Sequence, residues 1–520
     1  MEAHHHSSSR WGKILRGLFY VIGLPALAII CFYAEEDARG KGDWNAFRHQ
    51  WEAKGENFDR SSYIPKAVPD DKNFALTPIV YGSYGNVLTR EGKVIPDEKR
   101  DHDFTNRLDL KWDSLDSDIQ PPITNGIGDW RKGILSDLEP WQEYYRDLAS
   151  TTNFFPAPSD PQSPAKDVLL ALSVYDSVIE ELRQASLLPY SRFPLNYDSD
   201  NPSLVYLPHL ASLKRCAMFL QLRAIAELQN GENQKALDDI KLSLRLMNCV
   251  RSEPFLISHL VRLSQATIML QPVYEGLAQH KWSDAQLAEL DSELARLDFV
   301  TDYQFSMRGE AFILQQGIFD YMRRHPNQLL NFNPSDYDPR PQYTRLLGYV
   351  IPDGWYYQNQ TRCIRMMIEY CIPIADPKAQ TISPALVRAA DAALTANTAR
   401  VTPYNIGARL LIPAPASAAR RFAYTQGAVN LARAAIALER FRLATGGYPA
   451  FLDDLKSQHL PTAPHDVING LPLHYSRTND AFILYSVGWN ETDDGGQLVL
   501  RETGTPDPAL GDWVWKYPAP

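Results

Sequence analysis

The sequence is poor in cysteine, with 5 in 520 residues, and no two of them stand in a Cys-x-x-Cys pair. This excludes a framework of closely spaced disulfides and the common structural zinc ribbons. Cys363 and Cys371 lie eight positions apart on one expected helix, too distant to bridge, and Cys216 with Cys249 is only geometrically conceivable. Also missing are HExxH, GxxxxGK[ST], GxSxG and GxGxxG, the strong signatures of zinc hydrolysis, nucleotide binding and serine hydrolysis. Positive charge is in the minority: 52 Lys plus Arg stand against 62 Asp plus Glu, for a formal charge of -10. No basic run could follow a phosphate backbone, so no nucleic-acid partner is expected. With 44% hydrophobic and 22% charged residues, neither wholesale disorder nor a polytopic membrane protein fits, and the length implies more than one folded unit.

What is present begins with one apolar run. Gly17 to Ala34, GLFYVIGLPALAIICFYA, carries no charge and as a helix spans about 27 Å of a hydrocarbon core of about 30 Å. A transmembrane helix over 14–34 is expected, with a kink at Pro25. The competing reading is a cleaved signal peptide, since Arg10, Lys13 and Arg16 precede the run. Bulky Phe32 and Tyr33 beside Ala34 lack the small residues that cleavage needs, and Ile29 and Ile30 before Cys31 rule out a lipoprotein site. The short basic leader favours residues 1–13 as a cytoplasmic tail and the bulk as extracytoplasmic, with the lipid bilayer and other envelope proteins as the expected partners. The histidines of EAHHHSSSR read as a flexible tail.

Beyond the anchor the expected fold class is mainly α. Residues 35–164 are rich in Pro, Asp, Asn and Trp and read as an irregular segment, with short helices at Trp44 to Lys54 and Asp137 to Ser150. IPKAVPDD and Phe74 to Tyr84 are expected to wrap in extended form. A helical body is expected over 165–400: AKDVLLALSVYDSVIEELRQAS has apolar residues at helical spacing, Ser252 with Pro254 opens a helix, and Ser283 with Gln286 forms a capping box. Further helices are predicted at 300–324, 354–371 and 383–398. The pair 217–248, with Gly231, Ala236, Ser243 and Leu244 where two helices approach, resembles one tetratricopeptide-type hairpin.

VTPYNIGARLLIPAPASAA, 401–419, reads as a linker, and a helix from about Arg420 to Thr445 ends at Gly446 and Gly447. Strand signals LPLHYSR, AFILYSVG and QLVLR follow, so 420–520 is expected as a small α+β unit with a short antiparallel sheet. ALERFRLATGGYPAFLDDL together with LYSVGWNETDDGG resembles the C-terminal globular domain of the major pseudopilin of type II secretion systems. The resemblance implies a calcium ion in the loop after the last core strand, at the matching positions Ser486, Asn490, Asp493 and Asp494, with Gly495 and Gly496 closing the turn. Two adjacent carboxylates with Asn, Ser and carbonyl oxygens are donors that calcium accepts. The chain departs from that family: no Gly-Phe processing site exists and the membrane helix lies some 385 residues upstream, so fibre assembly is not implied. As a whole it is similar to large membrane-anchored bacterial proteins that place a helical body before such a tail.

Individual polar residues give weaker leads. His209, His259 and His280 could converge on a metal but read as ordinary buried or surface histidines. Glu310, inside MRGEAFILQQGIF, could be an acid of raised pKa, and Arg308 offers it an ion pair instead. Asp238 and Asp239 are expected on a solvated helix face. WYYQNQ at 355–360 and GDWVWKYP at 511–518 could stack on sugars or pack a core. The leading functional expectation is therefore a membrane-anchored, non-catalytic interaction or scaffold component of the cell envelope or of a secretion-related assembly. A glycan or cell-wall binder and a hydrolase with dispersed residues are the alternatives.

Overall fold

A computed structural model describes residues 14–84, 86–88, 94–96, 107–113, 119–152, 154–197, 199–328, 342–455, 464–478 and 481–517. The expected cytoplasmic tail, 1–13, lies outside the described residues. The fold is mainly helical, with one long apolar N-terminal helix and a small C-terminal region of short antiparallel sheets.

Among the described residues one helix is long and apolar enough to cross a membrane, Ile14–Glu52. Pro25 shapes its first half. Without an N–H, Pro25 cannot donate to the Val21 carbonyl, and the ladder widens to a π turn over Phe19–Gly23, where the Leu24 N–H reaches Phe19 O. The kink expected at the proline takes this form. The helix then continues as α-helix from Leu24 to Glu52 without a break. This corrects the separate short helix expected at Trp44 to Lys54: the charged residues from Glu35 onward do not end the anchor. Glu36, Gly40, Trp44 and Phe47, spaced four, four and three apart, are the buried face.

That face packs on the helix Asp353–Met366. The approach is backbone to backbone. A Cβ on Gly40 would stand 2.3 Å from Gly354 O, and one on Gly354 would stand 1.9 Å from Glu36 O. Only glycine at both positions permits it. Glu36 is buried there with three donors: Trp355 Nε1 at 3.0 Å, Tyr404 Oη at 3.1 Å and the Arg39 guanidinium. Asp37 accepts the Gly354 N–H at 2.7 Å. Trp44 and Phe47 continue into the main apolar core.

The centre of the body is the helix Leu256–Ala278, buried on nearly every side and packed against His209–Gln229, Asn233–Asn248 and the long C-terminal helix Pro415–Thr445. The first two of these form a helix pair around Gly231 at φ +79°. The capping box at Ser283 and Gln286 is present. Ser252 and Pro254 instead precede their helix, which starts at Leu256 after an extended Phe255. Phe74 to Tyr84 is a chain of helical turns and not extended, with Asn73 capping the first by accepting the Ala75 N–H. The predicted helix 300–324 is Phe299–Gly309 and Gln316–Arg324 joined by a π turn, Glu310–Gln315.

The long C-terminal helix starts at Pro415 and not near Arg420, because a proline in the first turn lacks only an N–H that no helix would use. It ends at Gly446 in the left-handed conformation. Residues 401–419 also hold the short helix Ile406–Leu411. The strands His474–Thr478, Ala481–Ser486 and Trp513–Lys516 form an antiparallel sheet against the long helix, and Leu498–Leu500 pairs with Pro506–Gly511. Trp513 and Trp515 are buried in the same core as the helical body.

The glycine contact gives a test with an internal control. Gly40→Ala inserts a methyl where no space exists and is expected to destabilise by about 1–3 kcal/mol. Gly42→Ala, two residues away with nothing within 4 Å, gains helix propensity and is expected to be neutral or slightly stabilising. Thermal unfolding of both variants in detergent checks the sign of each; equal midpoints contradict the contact.

Candidate functional site

Where the anchor helix lies beside Asp353–Met366, the two leave an open cavity of about 560 Å³. One wall is Arg39, Asp43, Ala46, Phe47 and Gln50; the other is Gln358, Thr361, Arg362, Arg365 and the nearby Asn397. On each helix these positions recur every three or four residues, so each wall is one helical face.

The polar groups are mostly donors. Arg362 and Arg365 are exposed, and among the described residues neither makes an ion pair. Arg365 lies over the Phe47 ring with its guanidinium carbon 5.1 Å from the centroid, a placement that orients the fork and leaves its edge N–H groups free. Arg39 is held by Glu35 at 3.0 Å, by Glu36 and over the Tyr404 ring at 5.6 Å. Hydrogen bonding with Tyr404, then with Glu36, raises its pKa further. Gln358 is 8% exposed, and its Nε2 is a buried donor with no protein partner. A donor left without an acceptor costs free energy until something in the cavity accepts from it. Asp43 is the one carboxylate on the lining. Three guanidiniums and an unpartnered amide suit an oxyanion, with Asp43 placed for a hydroxyl or ammonium on the same ligand.

Arg39 stands five residues past Ala34, about 7.5 Å along the helix axis beyond the end of the apolar run, so the cavity begins just past that end.

Only Gln358 falls in a segment that the sequence pointed to, WYYQNQ at 355–360, and there as a neighbour of aromatic rings and not as part of an arginine-lined cavity. The signal was the i, i+4, i+7 spacing of Gln358, Arg362 and Arg365, but its meaning needs Arg39, more than 300 residues away.

The residues that sequence did single out lie elsewhere and do not converge. His209 and His259 both touch Glu253: His209 Nε2 is 2.8 Å from Oε1, and His259 Nε2 is 2.9 Å from the carbonyl. Burial and the adjacent Arg262 push His259 down to about 4, so it is neutral, and Arg262 pairs with Asp302 at 2.6 Å. His280 is at the other end of the body, between Glu439 Oε1 at 2.8 Å and Tyr517 Oη at 2.5 Å. Among the described residues no group of three or more His, Cys, Asp or Glu is placed to hold a metal. The five cysteines are unbridged, Cys216 and Cys249 included.

Two expectations are corrected. Arg308 does not pair with Glu310; it forms a two-point bond with Glu56 at 3.0 and 3.2 Å. Glu310 is half-buried, accepts the Leu256 N–H at 3.2 Å, and desolvation pushes it up to about 7. Asp239 is not solvated: it is fully buried between Arg183 at 2.7 Å and Arg223 at 3.3 Å, and only Asp238 is partly open.

The four residues of the implied calcium loop are hydrogen-bonded as follows. Ser486 is buried and donates to Asp466 Oδ1 at 2.9 Å. Asn490 donates to Asp494 Oδ2 at 2.8 Å, and Asp493 accepts from Tyr485 Oη and the Gly495 N–H, both at 3.0 Å. Asp512 accepts the Asp494 and Gly496 N–H groups. The aromatic segments are committed too: Trp355 packs on Phe32 and Tyr404, and Tyr356 is buried.

No family model, curated protein or solved structure matches the chain.

Glu310 yields a pH prediction. Its folded pKa, about 7, lies above the ordinary 4.5, so its contribution to stability is whole below pH 4.5 and is lost as pH rises through 7. Glu310→Gln keeps the acceptor for Leu256 and removes the titration. The variant is expected to gain on the wild type by roughly 3 kcal/mol between pH 4.5 and 8 in denaturant unfolding. Parallel pH profiles of the two proteins contradict the raised acid.

Proposed function

We propose that this protein is a single-pass, membrane-anchored, non-catalytic binding component of the cell envelope, whose ligand carries a phosphate group presented at the membrane surface. The observation that supports this is the cavity beside the anchor helix, with Arg39, Arg362, Arg365 and the unpartnered Gln358 Nε2 on its walls. Guanidinium forks match the geometry of phosphate oxygens and stay charged at every physiological pH. The volume, about 560 Å³, suits a headgroup-sized ligand. The lining holds no cysteine, histidine or serine nucleophile and only one carboxylate, which suits binding better than bond making. The basic leader supports placing the cavity on the extracytoplasmic side.

The ligand's phosphate has two sources, a phospholipid headgroup or a soluble phosphate compound, and one titration separates them. Full-length protein in nanodiscs of zwitterionic lipid is titrated with short-chain phosphatidylglycerol in one arm and with inorganic phosphate in the other, reading the melting midpoint. A rise in the first arm alone identifies a lipid headgroup; a rise in both identifies the phosphate itself. Arg362→Glu with Arg365→Glu is expected to weaken binding at least tenfold while leaving the ligand-free midpoint unchanged, and Arg296→Glu, a distant exposed control, is expected to bind normally. No shift in either arm, or an unaffected double variant, overturns the proposal.

A further inference from the structure

The anchor helix meets a second apolar feature. The helix Gln342–Val350 ends against it, with Tyr33 Oη donating to the Val350 carbonyl at 2.6 Å. Its Gly348 faces the body, where a Cβ would stand 1.8 Å from Pro326 O. The residues around that glycine face outward: Leu346 is 68% exposed, Tyr349 64% and Val350 57%, with Leu347 also exposed. Exposed apolar side chains are ordinary when scattered, but four within five consecutive residues of one helix are not.

A second segment reaches the same level from the other direction. Tyr404 donates to Glu36, two residues beyond the end of the apolar run, and its flanking Val401 and Ile406 are 64% and 46% exposed. Trp355 links the two sides, 6.5 Å from Phe32 and 6.0 Å from Tyr404. Tyrosine and tryptophan at the end of a membrane helix are the side chains that settle at the boundary between lipid and water.

We propose that Leu346, Leu347, Tyr349 and Val350, with Val401 and Ile406 opposite, form an apolar collar that enters the interface of the leaflet from which the anchor helix emerges. The occupant is the bilayer, because the collar is continuous with the helix that spans it. Val350 is bonded to Tyr33, which belongs to the apolar run itself, so a membrane that holds Tyr33 at its surface brings lipid against Val350. An amphipathic helix held in that plane buries its apolar face among the acyl chains and keeps its body-facing side on protein. The collar makes the contact with the membrane broader than one helix and fixes how the body is turned above it. This inference does not depend on what the arginine cavity binds.

The test uses full-length protein carrying Cys31→Ser, leaving the four buried cysteines in place. A bimane fluorophore is attached at Leu346→Cys, at Val401→Cys and, as an aqueous control, at Phe451→Cys, which is 71% exposed on the C-terminal unit. Wild-type Cys31, exposed on the anchor, is labelled as the lipid control. Each is reconstituted with ordinary and with brominated phospholipid. The proposal expects strong quenching by bromine at positions 346 and 401, comparable to Cys31, and none at 451. Unquenched labels at both collar positions overturn it, whether they face water or a second copy of the chain. Leu347→Cys replaces Leu346→Cys if that variant fails to fold, and the same outcomes apply.

Discussion

The close approach of Gly40 to Gly354 is the constraint on which the rest of the structure depends. It presses the extramembrane half of the anchor helix against the body with no side chain between the backbones. A membrane helix followed by a flexible stalk would let the body rotate and tilt freely. Here the helix that is long and apolar enough to cross a membrane is also a core helix, carrying Trp44 and Phe47 into the main apolar cluster. The charges that would normally end burial are each answered: Glu36 by Trp355, Tyr404 and Arg39, and Asp37 by the Gly354 N–H. A buried carboxylate with three donors is tolerable, whereas the same group alone is not.

Two consequences share that origin. The cavity exists because the anchor and Asp353–Met366 are close at Gly354 but are held apart by larger side chains farther along, where Phe47 and Arg365 face one another. The apolar surfaces at Leu346 to Val350 and around Tyr404 stand level with the end of the apolar run because one is bonded to Tyr33, in its last turn, and the other to Glu36, just beyond it. Inside the body, acids such as Asp239 and Asp302 are buried beside arginines. These pairs serve packing between particular helices and lie away from the cavity.

Sequence revealed what depends on local pattern. The long apolar helix was legible from its uncharged length, the box at Ser283 from its spacing, and the hairpin around Gly231 from a glycine flanked by helical periodicity. What was not legible depends on distant partners. Glu35, Glu36 and Asp37 look like the end of a helix, and nothing nearby announces that Trp355 and Tyr404 will cover Glu36. Glu310 and Arg308 are neighbours in sequence, but Glu56, some 250 residues earlier, takes the arginine. Asp239 reads as solvated until Arg183 and Arg223 are placed beside it. The cavity is the extreme case, since each wall alone is an ordinary polar helix face. The likeness of the C-terminal segment to a pseudopilin led to Ser486, Asn490, Asp493 and Asp494, of which Asn490 bonds Asp494 within the loop while Ser486 turns to Asp466, twenty residues upstream.

The central claim is that the apolar N-terminal segment and the body are joined by one unbroken, packed helix, and hydrogen exchange of the full-length protein in nanodiscs tests it most directly. The account predicts that amides from about residue 36 to 47 exchange as slowly as those of the central helix, 256–278, because both belong to the same core. Rapid exchange across 36–47 with a protected central helix would reveal a hinge above the membrane, and would contradict the account.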